Sequence, residues 1–340
     1  MKHMRKGLYN LADKQTKRLI SLFIAFAITF VTAFSSEVIS AEDVTDVEKI
    51  ILAEDEPEMR DTSSQNSKIP DSSSCNTKVT DKLTINFGKV GIGDCAILEC
   101  GGEAAVIDGG FYRYRKQIKN TIDMMGIKEF KFLINTHAHE DHAGGLRYIV
   151  KNYEYGDVYV NGLVPDDRHN KKLARAVNRK GGTFKPLYKD DVLTLGSATL
   201  TVIGPTVYYP KRNHDDVNNN SLIIMVQHGS KRILFTGDAL VQEQNDILNS
   251  KVEIGCDVLK VPHHGFKNAS NDAFIAAASP TYSICTGPKF TKLVKVVNWQ
   301  PFAVMSNKGA KVYSTGYQGI ITMTSDGENI EWDKEPVVQN

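Results

Sequence analysis

Three histidines and two carboxylates lie within six consecutive positions, from His137 to His142, in the stretch NTHAHEDHAGG. The whole chain contains only nine histidines. The stretch follows the apolar run KFLI and leads directly into Gly144 and Gly145. Side chains two positions apart on extended backbone point the same way, so we expect His137 and His139 to converge on one point. Imidazole and carboxylate groups at this spacing are typical of metal ligands, whereas a solvated turn has no need of them.

Four ligands in six residues exceed what one tetrahedral ion with an open position requires. Two adjacent ions, about 3.5–4 Å apart and bridged by an oxygen, fit the stretch better. We therefore expect His137 and His139 to hold a first ion, and Asp141 and His142 to hold a second. The two glycines would let the backbone pass close to the ions.

Two later apolar runs also end in ligand types. The run RILFTGDAL reaches Asp238, which we expect to bridge both ions, and DVLKVPHHGF reaches His263 and His264. We expect His263 to complete the ligands of the second ion. His264 is expected to donate a hydrogen bond or a proton to the leaving group or to a substrate oxygen. Asp141 and His264 are thus the candidates for direct participation in catalysis. GD and HHG are each common turn motifs, but their order after HxHxDH, each at the end of a predicted strand, indicates a metal site.

The third ligand of the first ion is open. The segment SLIIMVQHGSKRILFTGD is typical of a hairpin that turns near Gly229. The hairpin would separate His228 from Asp238 by a whole strand, roughly 20 Å at about 3.3 Å per residue, so His228 is predicted to be a surface turn residue. Asn220 in NNNS would lie beside Asp238, which favours an asparagine or a water in the third place. His214, in the loop KRNHDDVN, is the alternative.

The pattern of apolar runs predicts an α+β protein. KLTINFGKV, DCAILEC and EAAVIDGG are short runs separated by glycines, as in an antiparallel meander. Helices are expected near 114–125, 142–152, 167–180, 239–249, 271–278 and 291–307, among further strands. This order predicts two mainly antiparallel sheets covered by helices. The five cysteines include no CxxC, so they indicate neither a disulfide framework nor a thiolate metal site, and Cys95 and Cys100 are expected to be buried.

The N-terminal region predicts export. Residues 1–41 carry six Lys/Arg and two acids, and residues 19–34 are sixteen positions without a charge. We interpret this region as a secretory signal cleaved after about Ala41, or as an uncleaved anchor that attaches the chain to the membrane through residues 19–34. Residues 42–81 are acidic and Ser-rich and are predicted to be a disordered linker. The folded domain, 82–330, is therefore expected to be secreted or anchored on the outer face of the cytoplasmic membrane.

With HxHxDH at 137–142, Asp238 and His263, the chain resembles the metallo-β-lactamase superfamily over about residues 82–325. The segments VGIGDCAILECGGEAAVIDGG, NNNSLIIMV, LKVPHHG and AKVYSTGYQGIITMTSDG are similar to the hydrolase domain of ComEC-type DNA-uptake proteins and to secreted phosphorylcholine esterases. The resemblance implies an αββα sandwich with a dinuclear site. The mixture of imidazole and carboxylate donors favours zinc, with manganese or iron as the alternatives. The resemblance also implies that Asp108 supports the ligands, and Asp94 in GIGD is either a similar support or a plain turn residue. The region after Pro280 differs from that subgroup, in which an Asn…Tyr-Gly-His-Pro stretch stands there.

These patterns together predict an exported two-metal hydrolase, in which a bridging water of lowered pKa attacks a phosphorus or carbonyl centre. The resemblance favours a phosphodiester substrate, either a nucleic acid or a small molecule such as a phosphocholine ester. Six Lys/Arg between Arg168 and Lys180, and the mixed basic and aromatic stretch from Tyr112 to Lys119, agree with a phosphate-rich substrate. A β-lactam or lactone hydrolase is the alternative among enzymes. A secreted binding module that retains metal without turnover is the alternative outside enzymes. No protein partner can be inferred.

Overall fold

Two β-sheets and their flanking helices account for most of the structure, a computed structural model that describes residues 79, 81–162, 168–210, 213–266, 269, 271–287 and 309–337. These residues form fifteen strands: β1 (Leu83–Phe87), β2 (Cys95–Cys100), β3 (Glu103–Gly109), β4 (Glu129–Asn135), β5 (Glu154–Asn161), β6 (Phe184–Leu187), β7 (Val192–Leu195), β8 (Ala198–Gly204), β9 (Ile223–His228), β10 (Lys231–Phe235), β11 (Val258–Lys260), β12 (Tyr282–Cys285), β13 (Lys311–Ser314), β14 (Ile321–Ser325) and β15 (Ile330–Trp332). One sheet has the order β15-β14-β1-β2-β3-β4-β5-β6, and the other has the order β13-β12-β11-β10-β9-β8-β7.

Seven α-helices occur in the same described ranges. They are α1 (Arg115–Met124), α2 (Glu140–Asn152), α3 (Arg168–Asn178), α4 (His214–Asn218), α5 (Val241–Asn249), α6 (Asp272–Ala278) and α7 (Thr315–Gln318). Helix α2 begins directly after the histidine-rich stretch, with Glu140 and Asp141 in its first turn and Lys151 in its last. This charge order is favourable because carboxylates stabilise a helix N-terminus and cations stabilise its C-terminus.

The layers follow from three apolar clusters. Helices α1, α2 and α3 pack on one face of the eight-stranded sheet through residues such as Ile118, Leu146 and Leu173. Helices α5 and α6 pack on one face of the seven-stranded sheet through Ile247 and Phe274. The remaining face of each sheet contributes to the third cluster, which lies between the sheets. The predicted αββα sandwich is therefore confirmed.

Strand β2 shows why its sequence suits the middle of this arrangement. Ile97 packs with the helices, whereas its neighbour Leu98 packs between the sheets. Successive side chains of a strand point to opposite faces, so a strand covered on both sides is apolar at consecutive positions. The run CAILEC has this composition.

The sheets are mixed rather than mainly antiparallel, which corrects the prediction. Strands β3 to β6 pair in parallel, and so do β10 to β13. Parallel neighbours need a crossover connection, usually a helix. Helices α1, α2 and α3 follow β3, β4 and β5, and helices α5 and α6 follow β10 and β11, so the alternation of helices with strands in the second half of each sheet requires these parallel pairs.

Most predicted elements lie where the pattern placed them. Two further predictions concern residues that the structure does not describe. Cys95, Cys100 and Cys285 are buried and free, in agreement with the prediction for the first two. The predicted helix at 291–307 and the apolar run 19–34 lie outside the described residues. Within the described ranges, no helix combines the length and apolar character needed to cross a bilayer.

Candidate metal centre

The candidate ligands lie just beyond the carboxyl ends of three strands. His137 and His139 follow β4, and Asp238 follows β10. His263 and His264 follow β11. Because β4 belongs to one sheet and β10 and β11 belong to the other, the site is assembled from both halves of the sandwich.

The first group of ligand atoms contains His137, His139 and Asp238. His137 Nε2 lies 3.1 Å from His139 Nδ1 and 3.8 Å from Asp238 Oδ2. Ligand atoms around a tetrahedral ion with bonds of about 2.0–2.2 Å lie roughly 3.3–3.6 Å apart. The spacing and the donor chemistry of this group therefore fit a divalent ion.

The second group contains Asp141, His142, Asp238 and His264. His142 Nε2 lies 3.1 Å from Asp238 Oδ2. His264 Nε2 lies 3.4 Å from Asp238 Oδ1 and 3.5 Å from Asp141 Oδ2. These spacings also match the edges of a tetrahedral ion. Asp238 belongs to both groups, as a bridging carboxylate must.

The two adjacent histidines exchange the places expected from the sequence. His264 has a side chain that is 1% exposed and belongs to the second group, whereas His263 is 17% exposed with Nε2 3.9 Å from Asp238 Oδ2. Both residues have left-handed backbone, with φ of 45° for His263 and 54° for His264. This backbone is uncommon for residues other than glycine, and no strand-based expectation anticipates the direction that it gives to the second imidazole.

Each buried histidine of the second group is backed by a carboxylate and a threonine. His142 Nδ1 lies 2.7 Å from Asp108 Oδ2, which accepts a hydrogen bond from Thr136 Oγ1 at 2.7 Å. Asp108 has φ of 57° and is 1% exposed. Asp108 thus lies against His142, a candidate ligand, and the supporting role that the resemblance implies for it stays a prediction. The contact directs His142 Nε2 towards Asp238, since a partner at one ring nitrogen fixes the orientation of the other.

The second supporting carboxylate is Asp94. The sequence left open whether this residue supports a ligand or only forms a turn. Asp94 Oδ1 lies 3.2 Å from His264 Nδ1 and accepts a hydrogen bond from Thr286 Oγ1 at 2.5 Å. Asp94 also forms a buried ion pair with Lys260. Sequence reasoning missed Lys260, although a charge inside the apolar run DVLKVP was a signal that could have found it.

The third position of the first group receives neither predicted residue. The Asn220 side chain is held by the preceding loop, because its Oδ1 accepts from Tyr209 N at 2.8 Å and its Nδ2 donates to Tyr209 O at 2.9 Å. His214 is exposed and stacks on His139 with ring centroids 3.8 Å apart. Ser221, the last residue of NNNS, also lies beside Asp238, as the hairpin predicted. Its hydroxyl lies 3.3 Å from His137 Nδ1 and accepts a hydrogen bond from Asp238 N at 3.0 Å.

His228 is buried, so the prediction of a surface turn residue is wrong. Its Nδ1 lies 3.0 Å from Ser325 Oγ, and its Nε2 lies 3.1 Å from Ser197 Oγ. Strand β9 carries His228 and strand β14 carries Ser325, so the contact joins the two sheets. Burial lowers the pKa of His228. The part of the prediction that separated His228 from Asp238 agrees with the antiparallel register of β9 and β10.

Electrostatics divide the histidines into two kinds. Burial, together with the His142 and His139 rings, holds the pKa of His137 well below its ordinary value. Burial and the neighbouring His214 lower the pKa of His139 to about 4. Burial opposes the charged form of His142, but the Asp238 and Asp108 carboxylates outweigh it and raise the pKa of His142 well above its ordinary value. The two histidines of the first group are therefore neutral and ready to ligate at pH 7, whereas an ion entering the second group displaces a proton.

Two basic features lie apart from both groups. The ring of Tyr112 has cations on several sides, with Arg147 at 4.9 Å, Arg115 at 5.1 Å and Lys151 at 5.7 Å from its centroid. The basic segment 168–180 forms α3, whose apolar face packs on the sheet. Contact of either feature with a substrate stays a prediction.

An αββα sandwich with two ligand groups sharing one carboxylate at the strand ends is the fold of a metal-dependent hydrolase. The family model described as the metallo-beta-lactamase superfamily matches residues 88–285, and the chain belongs to that superfamily. The fold with its two candidate groups indicates divalent metal ions as cofactors.

Particular relatives are similar over parts of the chain. ComE operon protein 3 from Bacillus subtilis is 28% identical over 165 residues, which is 48% of this chain and 21% of that protein. Ribonuclease J from Helicobacter pylori is 26% identical over 254 residues, covering 68% of this chain and 33% of that protein. The chain thus spans a third or less of the length of these relatives. The crystal structure of the metallo-beta-lactamase fold protein YhfI from Bacillus subtilis aligns with a TM-score of 0.49 and 11% identity, covering 72% of this chain and 100% of that one. The similarity to ComE operon protein 3 confirms the ComEC-like resemblance.

Proposed function

We propose that the protein is a two-metal phosphodiesterase, with zinc as the favoured ion. The observation that carries the proposal is the position of Asp238, which contributes Oδ2 to the first group and both oxygens to the second. His137 and His139 would hold the first ion. Asp141, His142 and His264 would hold the second. Two adjacent divalent ions supply Lewis acidity and lower the pKa of water in such sites.

The remaining residues have separate tasks in this proposal. Ser221 accepts from Asp238 N and contacts the His137 ring, so it keeps the shared carboxylate and the first group in register. His263 is more exposed than His264 and has Nε2 within 3.9 Å of Asp238 Oδ2. We therefore assign to His263, in place of His264, the donation of a hydrogen bond or a proton to the leaving oxygen.

Three observations favour a phosphodiester over a lactam or lactone. The first group contains two histidines, and no third imidazole joins it among the described residues. Ribonuclease J, whose name describes an enzyme acting on RNA, is similar over 68% of this chain. The cations around Tyr112 agree with an anionic substrate. The proposal also keeps the predicted export or anchoring through residues 19–34.

The test uses the purified full-length protein loaded with zinc and assayed on four substrates: an aryl phosphodiester, DNA, a phosphocholine ester and a β-lactam. We expect about two ions per chain and turnover of at least one phosphodiester, lost in His139→Ala and Asp238→Ala. Glu331→Ala, which removes an exposed carboxylate on β15, is the control and should keep wild-type turnover.

Three outcomes contradict the proposal. Phosphodiester turnover that survives Asp238→Ala excludes the two-metal mechanism. Cleavage of the β-lactam alone excludes the substrate class. A protein that binds metal and hydrolyses none of the four substrates supports the binding module instead.

A further inference from the structure

Lys260 is the only lysine that is buried in the described part of the chain. It is the last residue of β11, and its side chain is 2% exposed. Nζ forms an ion pair with Asp94 Oδ2 and donates to Gly237 O at 3.0 Å. It also lies 4.0 Å from Asp238 Oδ1, the carboxylate shared by both ligand groups. A full positive charge therefore lies beside a site that attracts cations.

Asp94 connects this lysine to the second ligand group. Its Oδ1 lies 3.2 Å from His264 Nδ1, and its backbone N–H donates to Asp141 O at 3.1 Å. His264 presents its other ring nitrogen, Nε2, to Asp141 and Asp238. An acceptor at Nδ1 determines which nitrogen carries the proton and where the ring points. Any movement of the Asp94 carboxylate would therefore rotate a residue of the second group.

The equivalent support of His142 works without a lysine. Asp108 is held by two donors from Thr136, the backbone N–H at 2.8 Å and Oγ1 at 2.7 Å. Asp94 has one threonine donor, from Thr286 Oγ1, and its other oxygen is held by Lys260. Lys260 thus takes the place that a backbone amide takes for Asp108.

We propose that Lys260 is a positioning residue that fixes Asp94, and through it His264, for binding of the second metal ion. The inference rests on the proposed function only in requiring that the second group holds a divalent ion. A buried ion pair adds little net stability compared with apolar residues of similar volume, so stability is a poor account of this lysine. The hydrogen-bond geometry around His264 accounts for it directly.

Charge and positioning predict opposite results for Lys260→Met. If the lysine acted only as a nearby positive charge, its removal would strengthen the binding of cations. If it positions His264, its removal lowers the affinity for the second ion alone. The expected loss is about 10–100-fold, which is typical when a ligand loses its outer partner. Lys260→Arg, which keeps the charge and the donor, should recover most of the loss.

The experiment measures zinc affinity and stoichiometry by competition with a chromophoric chelator, with aryl phosphodiester turnover recorded separately. We expect Lys260→Met to keep one tightly bound ion and to release the second at a lower chelator concentration than wild type. Lys231→Met is the matched control, because Lys231 also lies on a strand and pairs with a carboxylate, Asp257, at 3.6 Å. It should bind both ions as wild type does.

The charge-neutral double variant Asp94→Asn/Lys260→Met covers the possibility that the single variant does not fold. It leaves no unpaired buried charge, and we expect it to melt as one cooperative unit and still to bind the second ion weakly. Two ions bound at wild-type affinity or tighter, in Lys260→Met or in the double variant, would overturn the proposal. Wild-type protein that binds two ions without phosphodiester turnover would contradict the proposed function and leave this inference standing.

Discussion

At the scale of single residues, the centre depends on which of two neighbours points inwards. His263 and His264 are adjacent, and both have positive φ. Such backbone costs about 1–3 kcal/mol for a residue other than glycine, and it persists where the surroundings impose it. The contacts of His264 with Asp94 and Asp238 on opposite sides of its ring are such surroundings. The strained backbone at these two residues thus places the His264 imidazole in the ligand group.

The first prediction separates these two histidines. His264→Ala should lower the bound metal from about two ions to about one, because it removes a member of the second group. His263→Ala should keep both ions and lose at least about tenfold in turnover, in the range typical for loss of a general acid. Elemental analysis of the purified variants and the aryl phosphodiester assay measure the two quantities. Loss of an ion in His263→Ala with both ions retained in His264→Ala would reverse the assignment.

At the scale of elements, the sequence predicts where the strands end better than it predicts the backbone and the contacts of the residues that follow them. Apolar runs identify β4, β10 and β11, and a ligand type just after each run indicates the same end of the sandwich. Several short elements were not predicted, namely β6, β15, α4 and α7. Elements of three to five residues carry too few positions for a periodic pattern to emerge.

The parts of the centre that the sequence left open or missed have a common cause. Asp94, Thr286 and Lys260 reach His264 or its partner from three separate segments. No spacing along the chain reports a contact between residues so far apart. The turn at His263 cannot be predicted from the sequence either, because its left-handed backbone is imposed by its surroundings and not by the residue type.

The glycine pair after HxHxDH illustrates how an element is positioned. A Cβ on Gly145 would overlap the carbonyl oxygen of Gly109, at the end of β3, and a Cβ on Gly144 would lie 2.6 Å from Tyr112 N. Gly145 therefore allows α2 to approach β3, which carries Asp108, and Gly144 allows α2 to approach the segment that follows β3. The sequence predicted that these glycines let the backbone pass close to the ions. The structure shows instead that they let a helix pass close to a strand.

The second prediction concerns this approach. Gly145→Ala should destabilise the protein by about 1–3 kcal/mol, the usual range for overpacking, and should weaken metal binding because α2 carries Asp141 and His142. Urea unfolding gives the stability, and chelator competition gives the affinity. Gly255→Ala is the control, since the added Cβ would meet mainly the flexible end of the Glu253 side chain. Equal effects of the two substitutions would show that the helix–strand approach is not the cause.

At the scale of the whole molecule, the two sheets are joined at both ends. Near the metal centre, residues that follow β4 meet residues that follow β10 and β11. At the far end of β9, His228 contacts Ser325 of β14 in the opposite sheet. Metal ions would therefore reinforce a junction between sheets, in addition to the apolar cluster between them.

The third prediction follows from this position of the ions. Removal of metal by a chelator should lower the melting temperature, because ions that bind only the folded protein stabilise it by about 2.7 kcal/mol at one hundred times Kd. This corresponds to roughly 5–10 °C for a domain of this size. Scanning calorimetry before chelation, after it and after return of zinc measures the shift. Asp238→Ala, which lacks the shared ligand, should show little response. An equal response in that variant would place the stabilising ions elsewhere.

The hydrogen bond between Thr286 and Asp94 joins residues 192 positions apart, and this separation has a consequence for biosynthesis. A chain emerging from the ribosome presents Asp94 and HxHxDH long before Asp238, His264 and Thr286 have been made. During that interval the nascent chain carries only part of each ligand group. All members of both ligand groups and their supporting residues are therefore present together only once β12 and Thr286 have been translated.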